Sequence, residues 1–92
     1  MLRELSEIIE NRKESRPAGS YTVRLLEQGL DTILQKVGEE AVEVILAAKG
    51  QGDQRLIEET ADLFYHTLVL LSASNLTLSD VEEELTKRHL AE

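Results

Sequence analysis

The chain has no cysteine, no tryptophan and a single proline, Pro17, among its 92 residues. Without thiols it can build neither a disulfide framework nor a thiolate metal site, which suits a reducing compartment. Two tyrosines and one phenylalanine are the only aromatic residues, so any core must be aliphatic. No apolar run approaches the roughly 20 residues that a bilayer-spanning helix needs. The segment Met1-Leu2-Arg3-Glu4-Leu5-Ser6-Glu7 places acids where a secretory leader would be basic and then apolar. A cytoplasmic protein without a membrane partner is expected. Positive charge is scarce too: ten Lys and Arg face eighteen Asp and Glu, a formal net charge of −8. A nucleic-acid backbone is therefore excluded as a partner. An anionic substrate would be repelled as well, unless bound metal and local basic residues reverse the field.

What is present is helical patterning. A chain with 41% hydrophobic residues can bury a core, and its length fits one domain spanning residues 1–92. Leu2, Leu5, Ile8 and Ile9 recur at helical spacing and predict a first helix to about Arg12. The stretch from Arg12 to Gly19 reads as a basic, irregular connection broken by Pro17 and Gly19. Ser20 or Thr22 can cap a short helix through Val23, Leu25 and Leu26 that ends at Gly29. Asp31 is the expected N-cap of a third helix running to Lys49, with Val37, Ala41, Val44, Ile45 and Ala48 on one stripe. Asp53 is the expected cap of a fourth helix, from about Gln54 to Ser74 and closed by Asn75. Ser79-Asp80-Val81-Glu82 reads as a capping box before a last helix with Val81, Leu85 and Leu90 inward. No strand pattern or internal repeat is present. The fold class is therefore all-α, an antiparallel bundle of four to five helices. The fourth helix is apolar nearly all round and must be covered on most sides. The rest of a 92-residue monomer is too small to cover it, so dimerisation is expected to complete the bundle.

Chemistry enters with two acidic clusters on consecutive helices. The first is Lys36-Val37-Gly38-Glu39-Glu40-Ala41-Val42-Glu43 and the second is Glu59-Thr60-Ala61-Asp62. A helix advances about 100° per residue, so Glu40 and Glu43 lie about 60° apart, as do Glu59 and Asp62. If the two helices pack side by side, at least four carboxylates converge, and such a pocket is stable only around a cation. Oxygen ligands of this kind suit Mg²⁺ or Mn²⁺. A solvated acidic face is the plainer reading. Against it, the second cluster sits on the most apolar helix, where an uncompensated carboxylate is expensive.

Lys36 reaches the same face as Glu39 and Glu40, either as a surface salt bridge or as a grip on phosphate. Gly38 costs its helix about 1 kcal/mol relative to Ala, through tolerance or to admit a ligand or another backbone. His66 shares the stripe of Glu59 and Asp62; it is a satisfied core residue or a donor that orients a ligand carboxylate. Tyr65 points away from the acids and reads as packing. Arg12, Lys13 and Arg16 crowd the first connection, which suits phosphate contact or plain solvation. No Gly-rich phosphate loop and no nucleophile beside a base occurs, so covalent catalysis is not expected.

These residues resemble the MazG-like all-α nucleoside triphosphate pyrophosphohydrolases. Ser20-Tyr21-Thr22, Gly29, the Lys36–Glu43 block and Asp62-Leu63-Phe64-Tyr65-His66 are similar to the phosphoribosyl-ATP pyrophosphohydrolase family in particular. The similarity covers nearly the whole chain. It implies hydrolysis of phosphoribosyl-ATP to phosphoribosyl-AMP and pyrophosphate, the second step of histidine biosynthesis, in a cytosolic, Mg²⁺-dependent homodimer. It also implies a functional link to the phosphoribosyl-AMP cyclohydrolase of the following step. Carried over residue by residue, it implies metal ligands at Glu40, Glu43, Glu59 and Asp62, with Glu39 as a further ligand or the catalytic group that orients water. Lys36 is implied in phosphate binding, with Arg12 and Thr22 as further substrate contacts. Two alternatives stand beside this: a housekeeping pyrophosphohydrolase acting on free (d)NTPs, and a non-enzymatic acidic helical interaction module.

Overall fold

The computed structural model describes residues 1–90. Five helices follow one another: α1 (Leu2–Ser15), α2 (Tyr21–Gln28), α3 (Leu30–Gly50), α4 (Asp53–Ala73) and α5 (Leu78–His89). No strand occurs among the described residues, so the all-α expectation holds.

α1 runs three residues beyond its expected end, because Arg12-Lys13-Glu14-Ser15 contains no helix breaker. It closes only where Arg16 turns into the left-handed region at φ 48°, its N–H donating to the Arg12 carbonyl. Pro17 then forbids continuation. Ser20, not Thr22, caps α2: its hydroxyl accepts from the Val23 N–H at 3.3 Å. Gly29 is a one-residue joint between α2 and α3, with φ 100° and ψ 177°. Only glycine adopts that conformation without strain. Its N–H closes α2 on the Leu25 carbonyl, while its own carbonyl accepts from Ile33 and opens α3. Gly52, at φ 92° and ψ 164°, likewise opens α4, its carbonyl accepting from the Leu56 N–H, while Gln51 closes α3. The glycine joints displace Asp31 and Asp53 from their expected N-cap positions into the first helical turns, where their charge still complements the helix dipole.

The two-residue link Gln51-Gly52 folds α4 back along α3, and this pair forms the most extensive packing in the chain. Ile9, Leu25, Ile33, Leu68 and Val69 form the buried core, one or two residues from each of the first four helices. On α3 the buried positions are Ile33 and Ala47, whereas Ile45 and Ala48 of the expected stripe face outward. A polar clamp fixes α1 to the end of α4. Lys13 Nζ donates to the Ser72 carbonyl at 2.6 Å and to Asn75 Oδ1 at 3.0 Å, and the Ser72 hydroxyl donates to Glu10 Oε1 at 2.6 Å.

The N-cap of α5 lies two residues before its expected capping box. Thr77 is the N-cap, accepting from the Asp80 N–H while Asp80 accepts from the Thr77 N–H. Thr77 prevails over Ser79 because its extended backbone can cap a helix, while Ser79 lies inside one. None of the described residues of α5 is buried. Val81 and Leu85 border an apolar groove with Phe64 and Leu68 but stay open to solvent, and Leu90 is outside any core. Within one chain, then, α4 is left partly bare: Ile57 and Phe64 are 61% and 48% exposed.

Candidate metal and substrate site

Packing of α3 against α4 brings the two acidic clusters onto one open cleft of about 890 Å³. Glu39, Glu40 and Glu43 line it from α3, and Arg55, Glu59 and Asp62 from α4. Glu40, Glu59 and Asp62 each place a carboxylate oxygen within 4.8 Å of the others. Glu43 lines the same cleft one turn along α3, outside this tight trio. Gly38 also faces the cleft, and a methyl group there would meet no atom within 4 Å. Close approach of another part of this chain therefore does not explain that glycine, and the open side is the cleft itself.

The three carboxylates crowd one another. Burial comes first, then the neighbouring Glu59 and Asp62 carboxylates, in holding the Glu40 carboxyl above its ordinary value of 4.5. Glu59 is buried at 6% exposure and pairs with Arg55, whose Nη2 lies 2.7 Å from Glu59 Oε1. Glu39 stands at the edge of the cleft, half exposed. It accepts from Gln35 Nε2 at 2.8 Å and lies 3.7 Å from Lys36 Nζ.

Beneath the acids lies a layer of hydrogen-bonded rings joining α2 to α4. His66 is buried, and its Nδ1–H donates to the Asp62 carbonyl at 2.7 Å. On the other side of the ring, Nε2 is hydrogen-bonded to the Tyr21 hydroxyl at 3.0 Å. Thr22, also buried, shares a short hydrogen bond with the Tyr65 hydroxyl. Tyr21 and Tyr65 stack at 6.1 Å between centroids, and the Arg24 guanidinium covers the Tyr21 ring at 5.5 Å. His66 thus supports the backbone of Asp62 and does not touch a ligand carboxylate with its own ring nitrogens.

The expected site residues therefore divide. Glu39, Glu40, Glu43, Glu59 and Asp62 share one cleft, and Lys36 stands at its rim through Glu39. Thr22 spends its hydroxyl on Tyr65 inside the chain. Arg12 lies elsewhere, bordering a second depression with Ser15, Pro17 and Ser20 where α1 ends and α2 starts. Arg55 is the member that the spacing of acids did not single out. Its position four residues before Glu59 was the available signal, but Arg and Glu at that separation are common on any helix.

Comparison with known proteins points the same way. The phosphoribosyl-ATP pyrophosphohydrolase family matches residues 2–89. A phosphoribosyl-ATP pyrophosphatase of Clostridium acetobutylicum is 51% identical over 89 residues, covering 97% of this chain and 81% of the relative. One from Pyrobaculum neutrophilum is 51% identical over 88 residues, covering 96% of this chain and 94% of the relative. One from Listeria welshimeri is 54% identical over 88 residues, covering 96% and 84%.

Proposed function

The chain belongs to the phosphoribosyl-ATP pyrophosphohydrolase family, and on that premise we propose that the α3–α4 cleft is where it acts. It is a hydrolase that converts phosphoribosyl-ATP to phosphoribosyl-AMP and pyrophosphate, the second step of histidine biosynthesis. The observation that supports this location is the convergence of Glu40, Glu59 and Asp62 within 4.8 Å of one another.

The donor set fits a hard divalent cation. All three groups offer carboxylate oxygen, the chain has no cysteine, and burial followed by the neighbouring Glu59 and Asp62 raises the pKa of Glu40. Glu40, Glu59 and Asp62 would hold Mg²⁺, or Mn²⁺ in its place, with Glu43 of the same cleft wall as a further ligand. When bound, the ion supplies neutralisation of charge on the phosphate oxygens and on the departing pyrophosphate. The protein's own residues do the rest. Glu39, at the cleft edge and not committed to the trio, takes the proton of the water that attacks between the α- and β-phosphates. Gln35 and Lys36 hold its carboxylate in place. Lys36 is also free to turn from Glu39 to a phosphate oxygen, since a half-exposed pair at 3.7 Å is weak. His66 keeps the Asp62 backbone fixed from below. Arg12 would meet substrate only from the depression where α1 ends, and Thr22, its hydroxyl bonded to Tyr65, acts by fixing the Tyr21–Tyr65 layer and not as a substrate contact.

A second copy of the chain completes the fold in this reading. Val42, Ile45 and Leu46 on α3 are about half exposed or more, as are Ile57 and Phe64 on α4. Large apolar side chains in such number on two neighbouring helices mark an interface. The next enzyme of the pathway, the cyclohydrolase, is a functional partner that receives the product. No described helix is long and apolar enough to cross a membrane.

The test is turnover of phosphoribosyl-ATP against ordinary dNTPs, with product identified by chromatography. Release of pyrophosphate and phosphoribosyl-AMP, abolished by Glu40→Ala or by chelator, supports the reading. Faster cleavage of dNTPs, or full activity of Glu40→Ala, overturns it.

A further inference from the structure

Arg55 is the single cationic side chain lining the acidic cleft among the described residues. Its Nη2 lies 2.7 Å from Glu59 Oε1 and its Nη1 3.3 Å from Glu58 Oε1. The two ends of the Arg55–Glu59 pair differ sharply. The Glu59 side chain is 8% exposed, whereas that of Arg55 is 48% exposed. Glu59 is therefore a fixed anion inside the wall, while its counter-ion is a long, rotatable side chain with water on one side. A Glu59 carboxylate oxygen also lies within 4.8 Å of one from each of Glu40 and Asp62, so the guanidinium offsets repulsion within the trio.

We propose that Arg55 is an exchangeable counter-ion: it neutralises Glu59 in the metal-free protein, yields that carboxylate to the divalent cation, and then turns its guanidinium to the substrate's phosphates. This rests on the reading of Glu40, Glu59 and Asp62 as metal ligands. The physical reason is that the Glu59 carboxylate cannot serve a guanidinium and a divalent ion at full strength, because two cations held on one carboxylate repel each other. Once released, the side chain is still anchored at the start of α4 and has no second buried acid to join; Glu58 is exposed. The planar fork of arginine, which holds Glu58 and Glu59 with one Nη each, matches two phosphate oxygens in the same way. The exchange also keeps the cleft from presenting its acids unneutralised at any stage.

The proposal is tested by titrating nucleotide-free wild-type protein, Arg55→Gln and Arg55→Lys with Mg²⁺ alone in a calorimeter. Pyrophosphate is then titrated into each at saturating Mg²⁺. Arg55→Gln should bind Mg²⁺ about fivefold more tightly at 0.1 M ionic strength, and about tenfold in low salt, because a nearby like charge has gone. The same variant should bind pyrophosphate about tenfold more weakly. Arg55→Lys should match the wild type for Mg²⁺, since it keeps the charge, and fall between the others for pyrophosphate, since it loses the fork. Unchanged or weaker Mg²⁺ binding by Arg55→Gln, or unchanged pyrophosphate binding, overturns the proposal. A wild type that binds Mg²⁺ while Arg55→Gln merely equals it removes the role of Arg55 and leaves the metal site standing. A wild type that binds no Mg²⁺ removes both. Arg55→Gln leaves the buried Glu59 an amide donor in place of a cation, so far-UV circular dichroism checks its fold before titration, and Arg55→Lys, which keeps the charge, carries the pyrophosphate comparison if Arg55→Gln does not fold.

Discussion

Asp62→Asn removes one charge from the cleft without removing a heavy atom, and the metal-free variant should be more stable than the wild type. The Asp62 carboxylate lies within 4.8 Å of oxygens from both Glu40 and Glu59. Two unit charges at that separation repel by about 0.9 kcal/mol at the dielectric of water and about 3.5 kcal/mol at an effective value near 20. Asp62 is exposed, so the lower figure applies, and Arg55 already offsets part of the Glu59 charge. The expected gain is therefore about 1 kcal/mol in chelator, less in high salt. For a domain of this size that corresponds to about 4–8 °C in Tm. The hydrogen bond from His66 to the Asp62 carbonyl is a main-chain contact and survives the change. On addition of Mg²⁺ the order should reverse, because a ligand that binds only the folded state stabilises in proportion to its affinity. Thermal unfolding of both proteins at one concentration, with EDTA and then with Mg²⁺, measures all four values. A metal-free variant less stable than the wild type would refute the repulsion argument, and equal stabilisation of both by Mg²⁺ would refute the ligand role of Asp62.

Three further outcomes follow from the same geometry. Glu40 has its folded pKa raised above 4.5, first by burial and then by Glu59 and Asp62, so the folded state holds the proton more tightly than the unfolded one. Its contribution is favourable below that value and is lost as pH rises through the raised pKa; metal-free Tm should fall upward from pH 4.5, and Glu40→Gln should flatten the slope. Tyr21→Phe deletes the hydrogen-bond partner of buried His66 Nε2 and should cost about 1–3 kcal/mol in urea unfolding, whereas no loss would mean that the ring network is not closed as described. Ile45→Glu places a charge on the exposed apolar face of α3 and should convert a dimer to monomer in sedimentation velocity; a wild type that is already monomeric at micromolar concentration contradicts the proposed interface.

Helix periodicity and the punctuation by Pro17, Gly29 and Gly52 made the five-helix order legible from sequence, because each breaker acts locally. The caps were less legible. Asp31 and Asp53 look like N-caps, yet a glycine with positive φ immediately before each takes that place. Thr77-x-x-Asp80 and Ser79-x-x-Glu82 both satisfy the capping pattern, and only backbone conformation chooses between them. Val81, Leu85 and Ile45 have the spacing of buried residues but are exposed, since spacing assigns a face without saying what covers it. The convergence of Glu40, Glu59 and Asp62 was readable because helical angles fix which carboxylates share a side. Arg55 was not, since a lone arginine one turn before a glutamate has the same pattern whether it lies on a solvated surface or in a cleft.

The most direct measurement is anomalous diffraction from crystals of the protein grown with Mn²⁺. The account predicts a peak between the α3 and α4 acids, bonded to oxygens of Glu40, Glu59 and Asp62, with Arg55 withdrawn from Glu59. A peak elsewhere, or none while the Arg55–Glu59 pair stays closed, would contradict it.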